Sequence, residues 1–549
     1  MLPFITFCFS RRLNFFKLPD QIFIMKKLFF LPLVLLCTEI FAQADLAAKY
    51  AGVITGSELR KHLTIIASDE FEGRETGTEG QRKAAMYIES QFSGLNLKRP
   101  DALKSYQQLY PLYRDSVLET SLIVNGETAV YGKDYLIPLS ANDNVRFKGS
   151  NLVFAGYGID DAAYNDYSAI NVRGKIVVIF LGEPKKDGKY FIDPAGKSSQ
   201  WTFPGLSKKL AVAAGKGAVG VLVVNPTMDS FNQRMVDNNT KSGVYYPREN
   251  VAVKKLNYAL LSHEYAKRIF PVKFDDAITT VRANGIFTPQ PTEGKTKVEY
   301  LYKKYRTVIN ASNVIGVLEG TDKKEEYVFL TGHYDHLGKR NGKIWYGADD
   351  DGSGTCAVIQ MAAAFSMAAS EGHRPRRTIV FMTVSGEEKG LWGSEYYTDH
   401  PLYPLDKTTV DLNTDMVGRI DTERKTADTL NYVYVIGHDK LSSDLPGINE
   451  GANNKHTNLV LDYKFDDPND VNRIYFRSDH YNFARKGVPV LFFYDGMLKG
   501  DYHQPTDTVD KINFELYEKR VKMIFYTAWD IANRDGMLKR DIPLPAAVR

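Results

Sequence analysis

YVFLTGHYDH (residues 327–336), GADDDGSG (347–354) and RTIVFMTVSGEE (377–388) frame one stretch of the chain. Tyr327–Thr331 and Arg377–Ser385 are continuous apolar runs, the pattern of strands buried on both faces. Between them Ala357–Ala369 is apolar nearly all round and reads as a buried helix. Val488–Tyr494 adds a further apolar strand and Phe514–Asn533 a closing helix. Strands of this kind alternating with helices predict an α/β domain with a largely parallel sheet covered on both faces.

Working outward, Leu59 to Leu95 has helical periodicity. Thr78 to Gln81 reads as a capping box before Ala84, Ile88 and Phe92. From about 146 to 285 the texture changes to short β-rich runs, with Lys175–Leu181 and Val219–Val224 as strands around a small-residue helix, Leu210–Gly217. Thr288 to Lys295, which carries Pro289 and Pro291, reads as a linker. The expected organisation is therefore 1–44, 45–145, 146–287 and 288–549. The first segment reads as a secretory signal. Met25-Lys-Lys27 precedes the apolar run Leu28 to Leu36, with small residues at Ala42 and Ala44. Translation starting at Met25 fits this pattern, and the run is too short to span a membrane. The chain is then expected to be exported, periplasmic or extracellular, with no stable membrane anchor.

The chain has 549 residues, 70 Lys and Arg against 66 Asp and Glu, and a net charge of +4. Loss of residues 1–44 would remove five basic and two acidic residues and leave about +1. Nothing in that balance supports a nucleic-acid partner. Cys8, Cys37 and Cys356 cannot build a disulfide framework or a cysteine zinc site, and Cys356, on the apolar helix, reads as a core residue.

Five segments concentrate metal-capable residues at the ends of predicted strands: 332–336, 347–354, 385–388, 413–416 and 501–508. Loops at the carboxyl ends of parallel strands are where such sheets place their sites. Each segment alone has an ordinary reading. Asp349 to Gly354 is good turn chemistry, and Glu387-Glu388 suits a helix start. All five in order are better explained by one site. Residues two apart in an extended chain point the same way. His333 and Asp335 would then share a side, with Asp335 orienting the His333 ring, while His336 would point away. His336 and His480 are accordingly read as structural. Asp350, Glu388, Asp415, His333 and His503 suit two Zn²⁺ ions. Without metal, the three carboxylates would repel one another.

With these motifs the chain resembles the M28 family of zinc peptidases. GKIVVI and GKGAVGVLVVN resemble the inserted protease-associated (PA) domain of many members, and GRETGTEGQRKAAMYI resembles the family's opening helix. The resemblance implies a three-layer zinc-peptidase domain with a mostly parallel, mixed central sheet, interrupted by a β-rich PA-like insert. It implies two Zn²⁺ per chain, with His333 on one ion, His503 on the other, Asp350 bridging before a cis peptide to Asp351, and Glu388 and Asp415 completing the set. It makes Glu387 the general base assisting attack of a zinc-bound water, and Tyr502 a group steadying the oxyanion. The implied activity is exopeptidase action on peptides, most readily an aminopeptidase. The alternatives on the same scaffold are a glutamate carboxypeptidase-like enzyme, a single-zinc glutaminyl cyclase-like acyltransferase and a non-enzymatic receptor-like module.

Overall fold

A computed structural model of the chain describes residues 46–545, apart from 150–151, 187, 191, 227, 249–255, 270–295 and 468. The signal expected over 1–44 and the linker at 288–295 lie outside the described residues. The chain forms two compact units, one of residues up to Gln108 and from Ser312 onward, the other Leu109–Ala311. The second unit has wider bounds than the texture change at 146 and 287, because Gln107–Val124 and Val298–Leu318 each form one unbroken strand.

The first unit is built on a mixed sheet. Its strands are β1 (Val298–Leu318, from Ser312 on), β2 (Lys323–His333), β3 (Arg377–Val384), β4 (Thr408–Thr414), β5 (Tyr432–Ile436), β6 (Val460–Asp462) and β7 (Val490–Tyr494). Their order is β6-β5-β7-β4-β2-β3-β1. The four central strands β7, β4, β2 and β3 are mutually parallel, while β1 pairs antiparallel with β3 and β5 antiparallel with β7. Period-2 alternation divides the apolar residues between two cores. Val328, Leu330, Ile379, Phe381, Val410 and Leu412 lie in one, and Tyr327, Phe329, Val380 and Met382 in the other. The first core holds residues of helices α1 (Gly56–Ile66), α2 (Glu79–Gly94), α3 (Gly354–Ser370) and α6 (Phe514–Asn533). The second holds residues of α4 (Trp392–Asp399) and α5 (His480–Arg485). Both sheet faces are therefore dry, which explains why the strands read as continuous apolar runs. Each such side chain contributes about 1.5–3 kcal/mol by burial.

The capping box expected at Thr78 does not form. Glu72, Gly73 and Arg74 all have positive φ, and the chain they turn back lets the Thr78 hydroxyl donate to Glu75 O at 2.6 Å. Gln81 Oε1 accepts from Gly77 N instead.

The second unit has its own sheet, ordered Tyr135–Leu136, Tyr258–Leu261, Gly220–Val224, Ile176–Phe180 and Leu152–Phe154. All pairs are parallel except the first. Helix Leu206–Gly215 connects the parallel neighbours Ile176–Phe180 and Gly220–Val224, the strand-helix-strand unit its sequence implies. Among the charged side chains buried in the second unit are Asp166, Glu183 and Lys209. Asp166 accepts from Tyr157 N and Ile159 N, both at 3.0 Å, and from the Tyr164 hydroxyl at 2.8 Å. Lys209 donates to the Phe180 and Gly182 carbonyls. Glu183 accepts from Ser199 and Thr202. Gly156, at φ +47°, leaves the space: a Cβ there would meet Asp166 Oδ1 at 2.1 Å.

Candidate metal centre

The parallel strands β2, β3, β4 and β7 end on the same side of the first unit's sheet. His333 is the last residue of β2, Glu387 and Glu388 follow β3, and Asp415 follows β4 directly. His503 lies on the loop after β7. Asp350 sits in the irregular turn Ala348–Ser353 that leads into α3. Close approach is essential there, since a Cβ on Gly354 would meet Thr414 O at 2.0 Å. The Asp350–Asp351 peptide is cis. The Asp351 carboxylate accepts from His333 N, Gly354 N and Met416 N at 2.7–3.1 Å. It thus ties together the three segments that carry His333, Asp350 and Asp415. Arg74, fully buried, donates to the carbonyls of Tyr334, Tyr346 and Gly347, each at 2.7 Å, and fixes the loops on either side.

Two groups of donors share Asp350. His333 Nε2 lies 3.3 Å from Asp350 Oδ1 and 3.5 Å from Asp415 Oδ1. His503 Nε2 lies 3.2 Å from Asp350 Oδ2 and 3.0 Å from Glu388 Oε2. Glu387 stands beside them, its Oε2 3.9 Å from His333 Nε2. All five sequence-predicted ligands therefore converge, with Glu387 at their edge. Among the described residues, His333 Nε2, Asp350 Oδ2 and Glu388 Oε1 have no hydrogen-bond partner despite being buried. Buried polar atoms left this way call for an ion. Two imidazoles and three carboxylates, one placed to bridge, fit a pair of divalent cations.

The electrostatics of the protein alone point the same way. Burial by itself would neutralise His333, yet Asp415 and Glu387 outweigh it and raise its pKa well above the usual value. His503, likewise opposed by burial, is pushed up to about 10 by Asp350 and Glu388. Burial would raise Asp350, but the adjacent His333 and His503 hold it well below the usual carboxylate range. Burial, with Glu388 and Asp415, holds Glu387 well above its ordinary value against the pull of His333. The carboxylates thus favour protonated imidazoles when no cation is bound, and a cation would compete with those protons for the donor atoms.

Asp335 takes a different part from the one its spacing suggests. Its backbone carbonyl is 3.1 Å from His333 Nδ1, while its carboxylate is 3.7 Å away. That carboxylate accepts from the Thr76 hydroxyl at 2.6 Å and from Glu387 N at 3.2 Å. Thr76 also accepts from Gly386 N, so Asp335 and Thr76 together set the Glu387 backbone. Tyr502 stacks on His503, with ring centroids 3.9 Å apart. Its hydroxyl accepts from Arg477 at 2.9 Å, and burial holds that hydroxyl above its usual pKa. Arg477 and Tyr502 line a pocket over Asp350, Glu387 and Asp415, walled by Met416, Ile474 and Leu498. His480 points away, its Nε2 2.8 Å from Tyr475 O.

His336 does not point away. Strand β2 ends at His333, so two-residue alternation no longer governs it. Its Nδ1 lies 2.6 Å from Glu388 Oε1. Arg74, Thr76 and Arg477 also carried no readable signal beyond lying near the GRETGT and RSDH strings.

Residues 313–528 match the sequence profile of Peptidase family M28. A probable glutamate carboxypeptidase of Zea mays is 31% identical over 133 residues, 24% of this chain and 18% of that protein. A probable leucine aminopeptidase of Arthroderma otae is 27% identical over 216 residues, 38% of this chain and 55% of that protein. The chain thus spans about half or less of the curated relatives it matches. Among solved structures, an aminopeptidase from Aneurinibacillus sp. strain AM-1 aligns over 91% of this chain and 99% of that chain, at 17% identity and a TM-score of 0.46.

Proposed function

Because residues 313–528 form a Peptidase family M28 domain, we propose that the chain is an exported zinc metallo-exopeptidase that releases the amino-terminal residue of peptides. The observation that carries this reading is the convergence of His333, Asp350, Asp415, Glu388 and His503, with Glu387 at their edge. Bound zinc would supply Lewis-acid polarisation of the scissile carbonyl and of water. Glu387 takes the proton of the attacking water and returns it to the leaving amine. Thr76 and Asp335 hold its backbone in place. The Tyr502 hydroxyl, accepting from Arg477, keeps its own proton to donate to the developing oxyanion. The apolar wall of Met416, Ile474 and Leu498 gives a substrate side chain a dry surface. The second unit is read as a PA-like module.

The test is cleavage of free-amino, amino-blocked and carboxyl-blocked peptides, with and without chelator. The reading expects turnover of free-amino substrates only, abolished by chelation and restored by zinc. Turnover that survives complete metal removal would sink it. One observation favours a second reading, carboxypeptidase action: the Arg477 guanidinium faces the same pocket and could grip a terminal carboxylate. Under that reading, carboxyl-blocked peptides resist cleavage and amino-blocked ones do not.

A further inference from the structure

His336 is fully buried, and among the described residues neither of its ring nitrogens has a hydrogen-bond partner. A buried imidazole left so is unfavourable until something else meets its nitrogens. The contact with Glu388 does not relieve this. At 2.6 Å it is close, yet Glu388 Oε1, like the ring nitrogen, stands without a hydrogen-bond partner. Asp350 Oδ2 is 3.8 Å from the same nitrogen and is a third unmet atom. One imidazole nitrogen and two carboxylate oxygens therefore converge with no proton properly shared among them. The chain makes room for this ring: Gly347 has φ +55°, and a Cβ there would meet His336 Cγ at 2.4 Å.

The geometry points to His336 Nδ1 as a protein ligand of the ion on the Asp350, Glu388 and His503 side. Two imidazoles on one zinc, each with a bond of about 2.0 Å, have ring centres roughly 5–6 Å apart. The His336 and His503 rings are 5.9 Å apart at 68°. That side then has four protein donors, His336, His503, Asp350 and Glu388, against three on the other, His333, Asp350 and Asp415. Four-donor sites hold zinc more firmly than open three-donor ones, so the two ions differ in affinity, and the more firmly held one is the ion on the exposed His503 loop. The inference rests on the metallopeptidase reading above.

The experiment measures zinc stoichiometry and affinity by chelator competition in the full chain and in its His336→Asn and His336→Phe variants, the second keeping the ring's volume. The wild type is expected to bind two ions. Both variants should keep one ion unchanged and bind the other about 100-fold or more weakly, beyond the 10- to 100-fold typical of residues that only support a ligand. A smaller loss overturns the assignment. In the Co²⁺-loaded wild type, three histidine N–H resonances should be paramagnetically shifted, falling to two in either variant. Two in the wild type would also overturn it. A wild type that binds no zinc would instead defeat the metallopeptidase reading itself.

Discussion

Both units bury charge that the chain satisfies, as at Asp351 and Arg74 in the first, but the first also buries a cluster that it does not satisfy. In the second unit Asp166, Glu183 and Lys209 are saturated by the chain: each accepts or donates to backbone groups or hydroxyls within its own unit. In the first unit the donors around Asp350 crowd together, and His333 Nε2, both His336 nitrogens, Asp350 Oδ2 and Glu388 Oε1 are left without partners. A buried polar group that the fold satisfies stabilises a unique core, whereas one it leaves unsatisfied is destabilising until something else arrives. The difference separates structural burial from a prepared site more sharply than burial alone does.

The largest effect should come from Glu387, the residue proposed as general base. Glu387→Ala is expected to keep both ions, by elemental analysis, and to lose about 100- to 10,000-fold in kcat. An active Glu387→Ala protein would break the site half of the comparison. Next is the ion itself. At free zinc about 1,000 times its Kd, the first unit should gain about 4 kcal/mol. Peptide-resolved hydrogen exchange should show this in β4 (Thr408–Thr414) and not in Ile176–Phe180 of the second unit. Equal protection of both units would erase the contrast. The third is Asp166→Asn, expected to destabilise the second unit by about 1–3 kcal/mol, because Tyr157 N, Ile159 N and the Tyr164 hydroxyl lose an acceptor oxygen in the core. Urea unfolding resolved by the same peptides measures it, and zinc should not rescue the loss.

Much of this was readable in the sequence, for identifiable reasons. Strands β2, β3 and β7 are buried on both faces, so their apolar runs were continuous and unambiguous. The convergence of His333, Asp350, Glu388, Asp415 and His503 was readable because residue type and order at strand ends carry the pattern. What failed were readings that depend on where the chain goes after regular structure stops. His336 lies three residues past the end of β2, where alternation has no force. Thr78 lost its capping role to a turn made by residues of positive φ at Glu72 and Arg74, which no periodicity encodes. Arg477 and Thr76 act through partners distant in sequence, Tyr502 and Asp335. The Asp166 and Lys209 pair was invisible for the same reason, since forty-odd residues separate two charges that fold into one core.

That pair also carries the smallest predicted effect, a pH dependence confined to the second unit. Burial raises the Asp166 carboxyl from 3.8 to about 6, so its contribution to stability is fully present below about pH 4 and is lost as pH rises through 6. Burial lowers Lys209 from 10.5 to about 7, so its contribution is fully present above about 10.5 and is lost as pH falls through 7. The second unit should therefore be least stable between about pH 6 and 7, where both groups are charged in the core. From pH 5 to 6.5 the Asp166 titration alone corresponds to a fall of about 1 kcal/mol. Urea midpoints of the Ile176–Phe180 peptide should trace that minimum, and Lys209→Met should flatten its alkaline side and move the acid side to higher pH, because Lys209 holds the Asp166 carboxyl down. A midpoint that rises steadily from pH 5 to 7 would mean that the fold favours the ionised Asp166 carboxylate despite its burial, and would overturn the predicted minimum.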